Sequence, residues 1–207
     1  VWPVAANTPA ITPFAAATDL GTLGATAGYR IDGATAGDAA GVAVAAADID
    51  GDGYDDVIIG TYQPDPDGGG AGVAGTGAVA VVYGSAAGDA PPSTLAGLNG
   101  ANGMRFIGAA SGDATGFAVS AGGDVNGDGL EDLIIGAYGA DPGGTTSGAT
   151  YVVFGRAGGF AATVELTALD GSDGYRIEGA LAGDRAGVAV SAAGDVNGDG
   201  YDDLLVG

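Results

Sequence analysis

Nine residues, DIDGDGYDD at positions 48–56, carry five carboxylates, and the same alternation returns as DVNGDGLED at 124–132 and DVNGDGYDD at 195–203. By position each stretch reads D-x-[DN]-x-[DN]-G-x-x-D. The first gives Asp48, Asp50, Asp52, Gly53 and Asp56, the second Asp124, Asn126, Asp128, Gly129 and Asp132, the third Asp195, Asn197, Asp199, Gly200 and Asp203. Only oxygen donors are offered. Alternate residues of a tight loop turn their side chains toward one centre, a glycine at the sixth place permits the sharp bend, and the seventh residue (Tyr54, Leu130, Tyr201) can add its backbone carbonyl. A hard cation taking roughly six to eight oxygens in tolerant geometry is calcium, whereas magnesium keeps more water and zinc prefers nitrogen or sulfur. The expectation is about three Ca2+ ions, one per loop.

Asp, Asn and Gly are also the commonest turn formers, so one such loop would be weak evidence for a metal. Three matches in register, holding thirteen of the 26 acidic residues, favour the metal reading. The first loop offers four ligand carboxylates where the others offer three and an amide, so it is expected to bind most tightly. Asp55, Glu131 and Asp202, one place before the last ligand, point away if the chain there is already extended, and read as solvated or standing behind the ligands.

The loops sit in a longer repeat, with starts at Asp48, Asp124 and Asp195 separated by 76 and 71 residues. Each unit opens on GYRIDG, GMRFIG or GYRIEG. It passes through GDAAGVAVAAAD, GDATGFAVSAGGD or GDRAGVAVSAAGD, crosses the acidic loop and leaves by DVIIG, DLIIG or DLLVG. The first two units continue through Gly/Pro-rich stretches to AVAVVYG and ATYVVFG. Short runs of Val, Ile, Tyr and Phe bounded by glycine, without helical spacing, read as about four strands per unit and essentially no helix. This period fits all-β propeller blades, with a parallel β-helix as the alternative. It also accounts for 44 glycines and 8 prolines, a content that without a period would suggest disorder.

The formal net charge of -21, with five arginines and no lysine or histidine, repels nucleic acid and anionic membranes, and no stretch is long and apolar enough to insert in a bilayer. No cysteine supplies disulfides or thiolates. Without His, Lys or Cys most nucleophile and base arrangements are impossible, and every dense carboxylate cluster already lies in a loop, so an enzyme is not expected. Arg30, Arg105 and Arg176 each precede an aspartate by eight residues (Asp38, Asp113, Asp184), an offset read as structural ion pairs bracing successive blades. The tyrosines near the strands read as core. The stretches TYQPDPDGGGAGVAGTG and AYGADPGGTTSG are candidate recognition loops.

GDATGFAVSAGGDVNGDGLEDLIIGAYGADP and its two partners resemble the FG-GAP repeats of integrin alpha subunits and of bacterial surface and secreted proteins. The resemblance spans about residues 28–207, after an arm at 1–27. It implies that each repeat is one propeller blade, with the acidic loop joining its first two strands in a calcium-binding hairpin. It also implies an extracellular or cell-surface, bacterial-type adhesion or ligand-binding module whose partner is a protein or carbohydrate. Departures are AGVAV where only TGFAV keeps the aromatic, and GTY or GAY for GAP. Two strands after Gly187 without a YVVFG counterpart make the last blade incomplete, so an extracellular filament of copies joined head to tail by strand complementation is the alternative. In that case VWPVAANTPAITPFAAAT would be ordered against a neighbour.

Overall fold

The computed structural model describes residues 29–62, 75–85 and 91–207. The chain divides into two units, Val1–Arg30, of which only Tyr29 and Arg30 are described, and Ile31–Gly207. The arm VWPVAANTPAITPFAAAT and most of TYQPDPDGGGAGVAGTG lie outside the described residues.

The described residues of Ile31–Gly207 are all-β apart from two short 3-10 turns, Leu95–Gly97 and Leu166–Ala168. The first sheet runs β1 (Val44–Ala47), β2 (Asp56–Thr61), β3 (Ala78–Val82) and β4 (Gly103–Ile107), each antiparallel to the last. The second repeats this meander with β5 (Ala118–Gly123), β6 (Asp132–Ala137), β7 (Ala149–Val153) and β9 (Gly174–Glu178). β10 (Val190–Gly194) and β11 (Asp203–Val206) form a third antiparallel pair. These are blades of four-stranded design, the third represented by its first two strands. The antiparallel ladders exclude the β-helix alternative.

Between β7 and β9 the chain returns to the first blade, where β8 (Thr163–Glu165) pairs in parallel with the outer strand β4. Covering an edge strand removes a row of unpaired backbone groups. The parallel bridge Asp32↔Thr94 makes the same kind of pairing one repeat earlier. Sequence unit and structural blade are therefore out of phase by one strand: GMRFI and GYRIE open a sequence unit but close the preceding blade.

The middle strands explain the continuous apolar runs. AVAVV of β3 and ATYVV of β7 are buried throughout, as a strand covered on both faces requires. One cluster, including Ile58, Val79, Phe106, Leu133, Ile135 and Tyr151, runs through both complete blades. Each such side chain contributes about 1.5–3 kcal/mol on burial. The innermost strands are neighbours, β1 against β5 and β5 against β10. Glycine sets that spacing: a Cβ on Gly60 would lie 2.0 Å from the Gly116 carbonyl oxygen, and one on Gly136 would lie 2.0 Å from that of Gly187. Glycine thus lets neighbouring sheets pack closely face to face. Phe117, the retained aromatic, packs edge-on between Tyr62 and Tyr138, which replace the proline of GAP, with ring centroids 5.4 and 4.7 Å away.

Candidate metal centres on the blade hairpins

Each acidic loop is the connection between the first two strands of a blade: β1 to β2, β5 to β6 and β10 to β11. The first aspartate organises the turn. The Asp48 carboxylate accepts from the N–H groups of Gly51 (2.9 Å), Asp52 (3.1 Å) and Gly53 (2.8 Å). Asp124 receives Gly127, Asp128 and Gly129, and Asp195 receives Gly198, Asp199 and Gly200, at 2.7–3.1 Å. For exposed Asp195 these bonds, that from Gly200 foremost, hold its carboxyl below the usual carboxylate range.

The third and fifth residues repeat the pattern. Asp50, Asn126 and Asn197 each accept from the N–H two places on, as do Asp52, Asp128 and Asp199. Such bonds turn alternate side chains into the loop. The bend requires a left-handed backbone twice: φ is +73° and +90° at Gly51 and Gly53, +79° and +87° at Gly127 and Gly129, and +78° and +93° at Gly198 and Gly200. The sequence pattern singles out only the second glycine of each pair.

The last aspartate starts the second strand. Asp56 and Asp132 are fully buried. One Asp56 oxygen accepts from Ile49 (3.2 Å) and the other from Gly84 (2.9 Å), and Asp132 holds Val125 (2.8 Å) and Gly155 (2.9 Å) in the same way. Asp203 accepts from Val196 (2.9 Å) and from the Asn197 amide (3.3 Å). Burial pushes the Asp56 carboxyl up to about 7 and that of Asp132 to about 6, the backbone bonds pulling back and the neighbouring loop aspartates adding to the rise. Asp50 is raised too, by burial first and then by the charges of Asp52 and Asp48, against its bond from Asp52.

One oxygen each from Asp48, Asp50 and Asp52 lies within 4.8 Å of the others. Calcium–oxygen distances of about 2.3–2.6 Å place opposed donors up to roughly 5 Å apart, so this group could hold such an ion. An all-oxygen set beside a buried carboxylate fits a hard cation, whose charge would offset what burial costs Asp56.

The loops also touch one another. The Glu131 carboxylate accepts from the Asp48 N–H at 3.0 Å. The Asp202 carboxylate accepts from the Asp124 N–H at 2.9 Å, and the Asp202 N–H donates to the Asp124 carbonyl at 3.0 Å. Arg156 and Gly158, beyond β7, donate backbone N–H groups to the carbonyls of Ile49 and Asp50, both at 2.9 Å.

The expected brace from Arg176 to Asp184 is not formed. Asp38, Asp113 and Asp184 accept backbone N–H groups of their own turns: Thr35 and Ala40, Ala110, and Leu181. Arg176 pairs with Glu178, two residues on and on the same strand face, and bonds the Tyr151 hydroxyl. Burial raises the Asp113 carboxyl, and the Arg176 charge, one repeat away in sequence, opposes that rise. A constant offset of eight marked a repeated turn. Tyr151 is buried as expected of the tyrosines, but Tyr29 is 52% exposed.

Blades of antiparallel strands carrying an acidic loop on the first hairpin define a propeller-type repeat protein. The FG-GAP repeat family model matches residues 40–82, 115–153 and 186–207, half of the chain, and the protein belongs to that family. No curated protein matches the chain. The family consists generally of non-enzymatic binding modules typical of extracellular or surface proteins. No helix among the described residues is long and apolar enough to cross a membrane.

Proposed function

We propose that the chain is a calcium-loaded blade module that acts outside the cell as an adhesion or ligand-binding scaffold. Ions in the three hairpin loops stiffen the blades, and a protein or carbohydrate is bound by loops presented on them. The observation that carries this reading is the convergence of the Asp48, Asp50 and Asp52 oxygens next to a buried Asp56, in a hydrogen-bond scheme that the other two loops reproduce.

In each loop the first, third, fifth and ninth side chains would hold the ion together with the seventh carbonyl: Asp48, Asp50, Asp52, Asp56 and Tyr54; Asp124, Asn126, Asp128, Asp132 and Leu130; Asp195, Asn197, Asp199, Asp203 and Tyr201. Bound calcium supplies positive charge where ten ligand carboxylates otherwise repel. The chain's own part is to pre-form the loops through the first aspartate and to fix the last ligand in the sheet. Loops of this type in extracellular modules bind at about 10⁻⁴–10⁻³ M, matched to millimolar calcium outside the cell. Melting in 1 mM calcium, in 1 mM magnesium and in chelator tests this: calcium alone should raise the midpoint, and equal midpoints in all three would overturn the reading.

A further inference from the structure

The eighth residue of each loop belongs to no ligand set, yet in two of three it grips the loop of the preceding blade. Glu131 holds the backbone N–H of Asp48, and Asp202 holds that of Asp124. Both held residues are the first ligands, whose carboxylates gather the three N–H groups that shape the turn. The gripping residues stand between the seventh and ninth positions, Leu130 and Asp132 or Tyr201 and Asp203, which would bind the ion of their own loop. One loop's ion would thus fix the segment that fixes the preceding loop's first ligand.

The seventh side chain makes the same crossing. A Cβ on Gly51 would lie 2.8 Å from the Leu130 side chain, and one on Gly127 would lie 2.5 Å from the Tyr201 ring. The fourth-place glycines therefore leave room for the next blade's loop as well as making the turn.

Side-chain length follows the local backbone. The β5–β6 ladder shifts register between Ala121 and Gly123, whereas β1 and β2 pair without a shift. Gly123, at φ +71°, leaves the space that Asp202 fills: a Cβ there would lie 2.1 Å from its carboxylate. Where that glycine is present the gripping residue is the short Asp202. Before Asp48 stands Ala47 instead, and the gripping residue is the longer Glu131.

Resting on the calcium reading above, we propose that Glu131 and Asp202 are positioning residues that couple calcium binding between neighbouring blades, so that loading of loop 195–203 strengthens loop 124–132, and loading of the latter strengthens loop 48–56. The coupling is reciprocal, as linkage requires.

The test is a calcium titration of the full chain read by the backbone amide resonances of Gly53, Gly129 and Gly200, the sixth residues of the three loops. Disabling the third loop with Asp195→Ala should raise the calcium midpoint at Gly129 by about fivefold or more. Asp202→Ala should raise it similarly, and adding Asp195→Ala to that variant should move it no further. Asp202→Asn keeps an oxygen acceptor for the Asp124 N–H and should retain most of the coupling. Glu131→Ala and Glu131→Gln, paired with Asp128→Ala and read at Gly53, repeat the cycle at the other junction should one variant fail to fold. A midpoint at Gly129 indifferent to Asp195→Ala overturns the coupling, and equal loss in Asp202→Asn and Asp202→Ala overturns the hydrogen-bonded grip. Glycine resonances unmoved by calcium in the native chain would instead overturn the calcium reading itself.

Discussion

Gly60→Ala adds one methyl group where two blades meet. The Cβ would lie 2.0 Å from the Gly116 carbonyl oxygen and 3.1 Å from its carbon, while real Cβ atoms essentially never come nearer than 3.0 Å to such neighbours. The partner is backbone, and it is held: the Gly116 N–H donates to the Gly136 carbonyl at 3.0 Å, and the Gly60 carbonyl accepts from Gly41 at 3.0 Å. Relief requires the blades to part by about 1 Å, given the limit for overpacked cores in which backbone must shift. Overpacking of this kind costs about 1–3 kcal/mol, and a rigid partner puts Gly60→Ala at about 3 kcal/mol. For a domain of this size that corresponds to a fall of about 6–12 °C in melting temperature. Gly97→Ala is the control: no positive φ is required there and the nearest atom is the Pro92 Cβ at 3.4 Å. It should be neutral or stabilise by up to about 1 kcal/mol through the unfolded chain. Thermal unfolding followed by circular dichroism in 1 mM calcium measures both. A Gly60→Ala chain melting within about 1 °C of the parent would refute blade spacing set by glycine.

Asp50→Ala should remove one calcium per chain, counted by equilibrium dialysis, leaving the second and third loops loaded. In the parent chain loop 48–56 should bind most tightly, with four ligand carboxylates against three, and equal loop-resolved midpoints would contradict this. Tyr83→Phe deletes the hydroxyl that accepts from the Phe160 N–H at 3.0 Å, and should cost about 1–2 kcal/mol in urea unfolding by leaving that donor unpaired. In chelator the chain should gain stability as pH falls from about 7 toward 4, because Asp56 and Asp132 bind protons more tightly folded than unfolded. Their contribution is fully present below the unfolded value of 3.8 and is lost as pH rises through about 6 to 7. A metal-free melting temperature that falls across that window on acidification would contradict the buried carboxylates.

The strands and loops were legible because their signals are local: a buried strand shows as an unbroken apolar run, and a ligand loop as alternating oxygen donors around a glycine. GDATGFAVSAGGD and GDRAGVAVSAAGD carry one residue more than GDAAGVAVAAAD, and in the structure it is the register shift before Asp124 and Asp195. What depends on residues brought together from different repeats was not legible. Glu131 and Asp202 resemble solvated acids until the neighbouring loop stands beside them, and β8 is three residues whose pairing with β4 lies some sixty positions away. The constant offset between arginine and aspartate reflects repeated turns in which Asp38, Asp113 and Asp184 satisfy N–H groups at short range. That leaves Arg176 to the acid on its own strand face, Glu178.

Isothermal titration of calcium into the metal-free chain tests the central claim most directly. Three ions per chain with dissociation constants of about 10⁻⁴–10⁻³ M, falling to two in Asp50→Ala, is the expected result. Uptake of no calcium, or a stoichiometry that Asp50→Ala leaves unchanged, would contradict it.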